Sequence, residues 1–484
     1  MSFWKLENLR SAMAGGSAWL VRPARNAPAE AQGASIDTRT LKRGNIFFAL
    51  RGEKVDGHRF LDAAAKAGAA MAVVEDAGCG ANAPEGLALL QVEDVGKALL
   101  KCAAEYRKTL DGTRVISVGG SNGKTTTTRL VEAVLSRHFR GVSSPKSFNN
   151  AIGVPLTILS ARAGDQYLLC EVGTNAPGEI AELAAVVAPE IAVITSIGRE
   201  HLEGLSSIRG VIAEEASIAT AIRSGGVAII AANPPELNDA VHGLMGGPKG
   251  ANIVRFGASP DAEMRVESVS TDELGTSFSI NKRSKFCIPL LGAHNAMNGA
   301  AAVAVARRFG LEDGAIAAAL EQASGPEMRM RLEVKGPITL LNDAYNANPD
   351  SMLASLKAFA DLARHRNAAR RVVVLADMLE MGEAGPDAHR EIGEAVAADE
   401  SIDLAIVVGP LMMFAAERLL KKRSGERVYN LPEMNDETAR RIAAMLRPGD
   451  FVLLKGSRGM GVERVAKALD GAGRPLRERE ESAV

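Results

Sequence analysis

The residues of this chain best suited to chemistry stand together as Gly119-Gly120-Ser121-Asn122-Gly123-Lys124-Thr125-Thr126-Thr127. They follow the apolar run Val115-Ile116-Ser117-Val118, so a strand feeds a glycine-rich turn that opens a helix. Backbone N–H groups at such a helix start converge on an anion, and the helix dipole adds about half a positive charge there. Lys124 has the length to reach β- and γ-phosphates, and the Thr125 hydroxyl can ligate Mg²⁺. Gly120, Ser121, Asn122, Gly123 and Thr126 complete the cradle. The expected ligand is a nucleoside triphosphate, ATP with Mg²⁺. Val118 occupies the place where the common G-x-x-x-x-G-K-[ST] pattern has its first glycine. An incidental glycine-rich turn is the rival reading, and the flanking strand and helix disfavour it.

A bound triphosphate needs a divalent cation held by hard ligands at strand ends. Glu171 ends the run Tyr167-Leu168-Leu169-Cys170-Glu171, and His201 lies just beyond the next apolar run. In a parallel sheet both positions share the edge that carries the phosphate loop. Thr125, Glu171 and His201 are therefore expected to converge on metal, and Lys124, Glu171 and His201 form the candidate catalytic set. Taken singly, the glutamate could be a solvated rim charge and the histidine a structural hydrogen-bond partner.

The elements that position these groups follow from the rhythm of the chain. At 484 residues it exceeds one core, and length suggests about three units. Residues 1–112 read as a small α/β unit. Residues 113–325 carry strands near 114–118, 166–172, 191–197 and 227–231 with helical crossovers, then an irregular, β-rich excursion over 232–290. That pattern predicts a mostly parallel sheet with helices on both faces. Residues 326–484 repeat the alternation from 338–343 to 451–455 as a Rossmann-like unit without a G-x-G-x-x-G turn. The fold class is α/β throughout. The opening stretch to Leu20 reads as an amphipathic helix rather than a signal peptide, and the tail 474–481 as a frayed, charged end.

Composition excludes several classes. With 57 basic and 58 acidic residues there is no global basic field to hold nucleic acid. No apolar run is long enough to span a bilayer, so no membrane partner is expected. Cys79, Cys102, Cys170 and Cys287 are scattered without metal-ligand spacing, which suits reduced thiols in a cytoplasmic protein. A monomer is the default expectation.

The short phosphate loop with Asn122 before Gly-Lys-Thr resembles that of the Mur ligase and folylpolyglutamate synthase superfamily, whose members form amide bonds at the expense of ATP. The resemblance extends over nearly the whole chain. Ser35-Ile36-Asp37-Thr38-Arg39 and Asp56-Gly57-His58 look like the UDP-substrate blocks of a Mur ligase branch, and Asn149-Asn150 and Gly198 through Glu203 match that branch's central blocks. Leu291 through Asn298 resembles the adenine-side block. Asn342-Asp343-Ala344-Tyr345-Asn346-Ala347-Asn348-Pro349-Asp350-Ser351-Met352 and Leu375 through Gly382 resemble the branch that adds a dipeptide. The resemblance implies ligation of D-alanyl-D-alanine to UDP-N-acetylmuramoyl-tripeptide, a precursor of peptidoglycan.

Carried over residue by residue, the resemblance places Asn295, Asn298, Arg331 and Asp343 at ATP. It places Ser35, Arg39, Asp56, Gly57, His58, Asn149, Asn150, Tyr345, Asn346 and Asn348 at the substrates. Many relatives have a carbamylated lysine as a second Mg²⁺ ligand, and that position falls at Glu215 here. Glu215 is thus expected to supply a permanent carboxylate to metal, with a solvated helix charge as the alternative. Rival functions are another ligase of the superfamily, with a different amino acid or a folate, and a non-catalytic nucleotide-binding protein. The retained set Lys124, Thr125, Glu171, His201, Arg331 and Asp343 argues against the latter.

Overall fold

The computed structural model describes residues 2–14, 19–22, 30–75, 84, 87–246, 252–423 and 425–471. Among them the strands build three sheets, of five, nine and six strands. Cys79 and the tail 474–481 lie outside the described residues.

The nine-stranded sheet carries the phosphate loop. Its spatial order is Ser284–Ile288, Thr276–Ile280, Met264–Thr271, Ile253–Gly257, Val227–Ala231, Ile191–Ile194, Arg114–Gly119, Tyr167–Glu171, Gly141–Ser143. Pairing is parallel from Gly141–Ser143 through Met264–Thr271, and the last two pairings are antiparallel. Alternate residues serve opposite faces, as a pleated strand requires. Leu168 and Cys170 pack with Val154, Ile158 and Ile180 on one side. Tyr167 and Leu169 pack with Leu130, Val134 and Ala300 on the other. Burial on both faces explains the near-continuous apolar runs. The register sets Val118 opposite Glu171, so the glutamate ends beside the start of the loop.

The first sheet runs Trp19–Arg22, Ala88–Gln91, Met71–Val74, Ile46–Phe48, Ala34–Ser35, with only the Trp19–Arg22 edge antiparallel. The opening helix therefore stops short of expectation: it spans Leu6–Ala14, and Trp19–Arg22 is a strand. Gly15-Gly16-Ser17 between them are poor helix formers.

The third sheet runs Arg331–Lys335, Ile338–Asp343, Asp450–Lys455, Arg370–Ala376, Leu404–Val408, Val428–Leu431. All its pairings are parallel except that of the edge strand Arg331–Lys335, which sequence reading did not foresee. The expected excursion after Ala231 is more regular than anticipated. It holds a helix, Pro235–Leu244, and a strand, Ile253–Gly257, that extends the parallel sheet.

Cys102 and Cys170 are buried free thiols and Cys287 is partly buried. Among the described residues no helix is long and apolar enough to cross a membrane.

Candidate functional site

Two glycines shape the loop. Gly120 and Gly123 adopt φ of 112° and 89°, a region open to glycine. A Cβ at Gly120 would stand 2.3 Å from Thr195 Oγ1, and one at Gly123 would stand 2.2 Å from Asn298 Oδ1. Neither position tolerates a side chain. The loop is pinned to the next strand end, with Ser121 N–H donating to Ser196 O (2.8 Å) and Asn122 N–H to Ser196 Oγ (2.9 Å). The helix Lys124–Leu135 then begins, and Lys124 curls back so that Nζ donates to Gly120 O at 2.6 Å and Ser121 O at 3.2 Å.

These groups face a cavity of about 810 Å³ between the nine-stranded and six-stranded sheets. Ser121 through Thr126, Asn149, Asn150, Glu171, His201, Asn295 and Asn298 line it from the central side. Asp343, Tyr345, Asn346, Asn348 and Lys455 line the opposite wall. Most of the expected site is thus gathered around one space. Asn295 and Asn298 share a helix face as anticipated, joined by Asn298 Nδ2 donating to Asn295 Oδ1 at 2.8 Å. Asn150 Oδ1 accepts from Ile152 and Gly153 N–H just before helix Gly153–Ser160. Asp343 is already committed: Oδ2 accepts from Lys455 Nζ and from Ser355 Oγ, both at 2.6 Å.

Lys124 is set among carboxylates. Burial alone would lower the Lys124 pKa, but the carboxylates of Glu200, Glu215 and Glu171 raise it above its ordinary value. Lys124 therefore stays cationic. Burial raises the pKa of Glu171, opposed by Arg329 and Lys124. Burial likewise raises Glu200, whose Oε1 lies 3.6 Å from Lys124 Nζ.

The residues beside Thr125 fit Mg²⁺. Glu171 Oε1 accepts from Thr125 Oγ1 and from Asn149 Nδ2, each at 3.0 Å, while the buried Oε2 has no hydrogen-bond partner. An unpaired buried carboxylate oxygen beside a threonine hydroxyl and a phosphate loop is the hard-oxygen chemistry Mg²⁺ selects. This ion keeps several waters and takes one or two carboxylates together with phosphate oxygens. Among the described residues no three His, Cys, Asp or Glu side chains form a metal-binding cluster. The fuller ligand set of Glu171, His201 and Glu215 is therefore not assembled.

The physical reasons are visible. Glu215 is fully buried behind the loop, outside the cavity wall, and its Oε2 accepts from Gly120 N–H at 2.6 Å. His201 turns towards the third sheet, with Nδ1 2.6 Å from Glu380 Oε2. Burial would lower the His201 pKa, but Glu380 and Glu200 raise it above its ordinary value.

Arg331 is a second correction. It starts the edge strand, exposed and absent from the cavity, whereas Arg329 lines the cavity and donates from Nη2 to Thr125 Oγ1 at 3.2 Å. Met328 and Met330 adopt φ of 55° and 53°, so the backbone turns on both sides of Arg329 and strand alternation does not apply. Arg329 also stacks over the Tyr345 ring at 4.2 Å. Sequence reading missed Arg329, Lys455 and Glu380 as cavity residues. The paired arginines in Met328-Arg329-Met330-Arg331 were the available signal for the first.

Ser35, Arg39, Asp56, Gly57 and His58 belong to the first sheet's segment, and none lines the cavity. Arg39 is paired with Asp37 at 2.6 Å. The arginine holds the Asp37 carboxyl down at about 2. His58 Nδ1 lies 2.7 Å from Asp56 Oδ1, and its Nε2 accepts from Glu75 N–H at 3.0 Å. Both imidazole nitrogens are used inside the fold, which leaves neither for a ligand.

Comparison with known proteins returns three matches along the chain. Residues 30–107 match the Mur ligase family catalytic domain, 118–306 the Mur ligase middle domain, and 328–458 the Mur ligase glutamate ligase domain. The UDP-N-acetylmuramoyl-tripeptide–D-alanyl-D-alanine ligase of Bacillus subtilis is 36% identical over 439 residues, covering 90% of this chain and 93% of the relative. Its namesake in Escherichia coli is 31% identical over 460 residues, covering 92% and 96%. A crystal structure of MurF from Acinetobacter baumannii superposes with a TM-score of 0.81 at 27% identity, covering 96% of this chain and 99% of that one.

Proposed function

The chain belongs to the Mur ligase family, and from that premise we propose that it uses ATP to join D-alanyl-D-alanine to a UDP-N-acetylmuramoyl-tripeptide. One observation carries the reading. Lys124 and Thr125 face the Asp343–Asn348 segment across a single cavity, so a phosphorylated acid and an incoming amine have one enclosed place to meet.

A carboxylate does not react with an amine near neutral pH, because oxide is a poor leaving group. The tripeptide carboxylate instead attacks the γ-phosphorus of ATP, ADP leaves, and an acyl phosphate forms. The dipeptide amine attacks the acyl carbon, and the tetrahedral intermediate collapses with loss of phosphate. Lys124 exchanges its two backbone carbonyls for phosphate oxygens, while Arg329 approaches from the other wall. Thr125 and Glu171 would hold Mg²⁺, which when bound would neutralise phosphate charge. The amine, with a pKa near 8, needs only a modest shift to lose its proton.

Residues 1–112 would hold the UDP end, 113–325 ATP and the reacting acid, and 326–484 the dipeptide and the far side of ATP. Asn149 and Asn150 border the acid, and Tyr345, Asn346 and Asn348 the dipeptide. Asn295 and Asn298 border the adenine. Closure of the third segment keeps water from the acyl phosphate.

A substrate-matrix assay tests the reading. Purified protein, ATP and UDP-N-acetylmuramoyl-tripeptide are mixed with D-alanyl-D-alanine or with single amino acids, and products are weighed by mass spectrometry. A lengthened muramoyl peptide with the dipeptide alone is expected. Equal product with a single amino acid, or none at all, overturns it.

A further inference from the structure

Arg199 sits on the loop that follows strand Ile191–Ile194, beside the cavity but outside its lining. Its side chain points away from its own sheet and meets two acids of the third segment. Nη2 and Nε donate to Asp350 Oδ1 at 2.7 and 3.1 Å, and Nη1 donates to Glu391 Oε2 at 2.6 Å. The Arg199 backbone N–H also donates to Asp350 Oδ2 at 2.7 Å. Close approach depends on the preceding residue, since a Cβ on Gly198 would lie 2.8 Å from Asp350 Oδ2. Asp350 opens the helix Pro349–His365, and its cap residue Asn348 donates from Nδ2 to Asn122 Oδ1 of the phosphate loop at 2.9 Å.

We propose that Arg199, gripping Asp350 and Glu391, is a positioning residue that clasps the third segment onto the phosphate loop for each turnover. The planar guanidinium suits this because it can engage two carboxylates at once. Side-chain exposures of 36%, 39% and 41% for Arg199, Asp350 and Glu391 leave the clasp open to water and salt. It is therefore separable, as a cycle of substrate entry and product release requires. The proposal rests on the ligase reading for its effect on rate, but not for its effect on shape.

The test uses the full chain with Arg199→Met, Arg199→Lys and Glu391→Gln, none of which alters a cavity-lining residue. Small-angle scattering is recorded with ADP at low and high salt, alongside ligation kinetics. Arg199→Met is expected to expand the particle and lower kcat about fivefold. Glu391→Gln should do less and Arg199→Lys should restore only part of the rate, since an ammonium cannot fork both carboxylates, while the wild-type protein expands only as salt rises. Unchanged scattering in Arg199→Met overturns the clasp, whatever the rate does. Expansion of that variant in a protein that makes no lengthened muramoyl peptide keeps the clasp and removes the reaction instead.

Discussion

The two junctions of this molecule are built on opposite principles. Between the first and central sheets one hydrophobic core runs without a break, uniting Leu9, Phe48 and Leu99 with Val154, Leu168 and Ile194. The helix Val95–Lys108 is the joint. Tyr106 donates from its hydroxyl to Ala161 O at 2.7 Å, and its ring packs against Phe3 and Trp4 with centroids 4.9 Å away. Arg107, 2% exposed, donates to Val187 O and Ala188 O at 2.9 Å and pairs with Glu190 at 2.8 Å. The third sheet, by contrast, has cores largely of its own. It meets the central segment through the half-exposed ion pairs of Arg199, and the phosphate loop through an amide pair and Arg329. Apolar burial fixes a joint, whereas solvated polar contacts of small net energy allow it to part. The site lies at the second kind.

The comparison breaks or sharpens in four ways. Lys124→Ala lies on the fixed side and removes a cation from the phosphate cradle without touching either joint. It is expected to lower dipeptide-dependent ADP release by about a thousandfold, with an unchanged circular dichroism spectrum. Substantial ligation by this variant would remove the role given to Lys124. Arg329→Ala acts across the separable side. A loss of about a hundredfold in kcat is expected, against near wild-type kinetics for the exposed Arg331→Ala. If the two variants behave alike, the assignment by geometry is wrong.

Stability then separates the joints. Arg107→Met leaves two carbonyls and a glutamate without their cation, and denaturant unfolding should show a loss of about 3 kcal/mol. Arg199→Met should cost under about 1 kcal/mol. Comparable losses would mean that the junctions are not different in kind.

The smallest effect concerns Glu215. Burial holds its carboxyl at about 7, against the pull of Lys124, where the ordinary value is 4.5. The folded chain then keeps a proton that the unfolded chain has released. Stability contributed by this group is present below 4.5 and declines as pH rises to about 7, where it is lost. Glu215→Gln, which retains an acceptor for Gly120 N–H, should flatten melting temperature over that interval. An unchanged slope would show that Glu215 is ionised throughout.

Much of this was legible in the chain. The strand, glycines and Lys124-Thr125 sit in consecutive positions, so local pattern alone defines the phosphate loop. The strand Ile338–Asp343 is apolar and buried, and its apolar run marks it in the sequence. What failed depended on orientation rather than on proximity in sequence. Arg331 and Arg329 differ by a backbone turn at Met330 that no periodicity records. Resemblance puts Glu215 near metal, yet helix Ile208–Ala216 points it at the back of the loop. Resemblance puts His58 at the substrate, but the imidazole spans Asp56 and the Glu75 backbone, a contact 17 residues away in sequence.

Oxygen transfer tests most directly whether the triphosphate energises the acid. The tripeptide carboxylate is labelled with ¹⁸O, ligation is run to completion with unlabelled ATP, and the phosphorus products are weighed. Phosphorylation of the acid predicts one ¹⁸O in inorganic phosphate for each lengthened peptide, with ADP unlabelled. Label in AMP, or phosphate without label at full ligation, would contradict it.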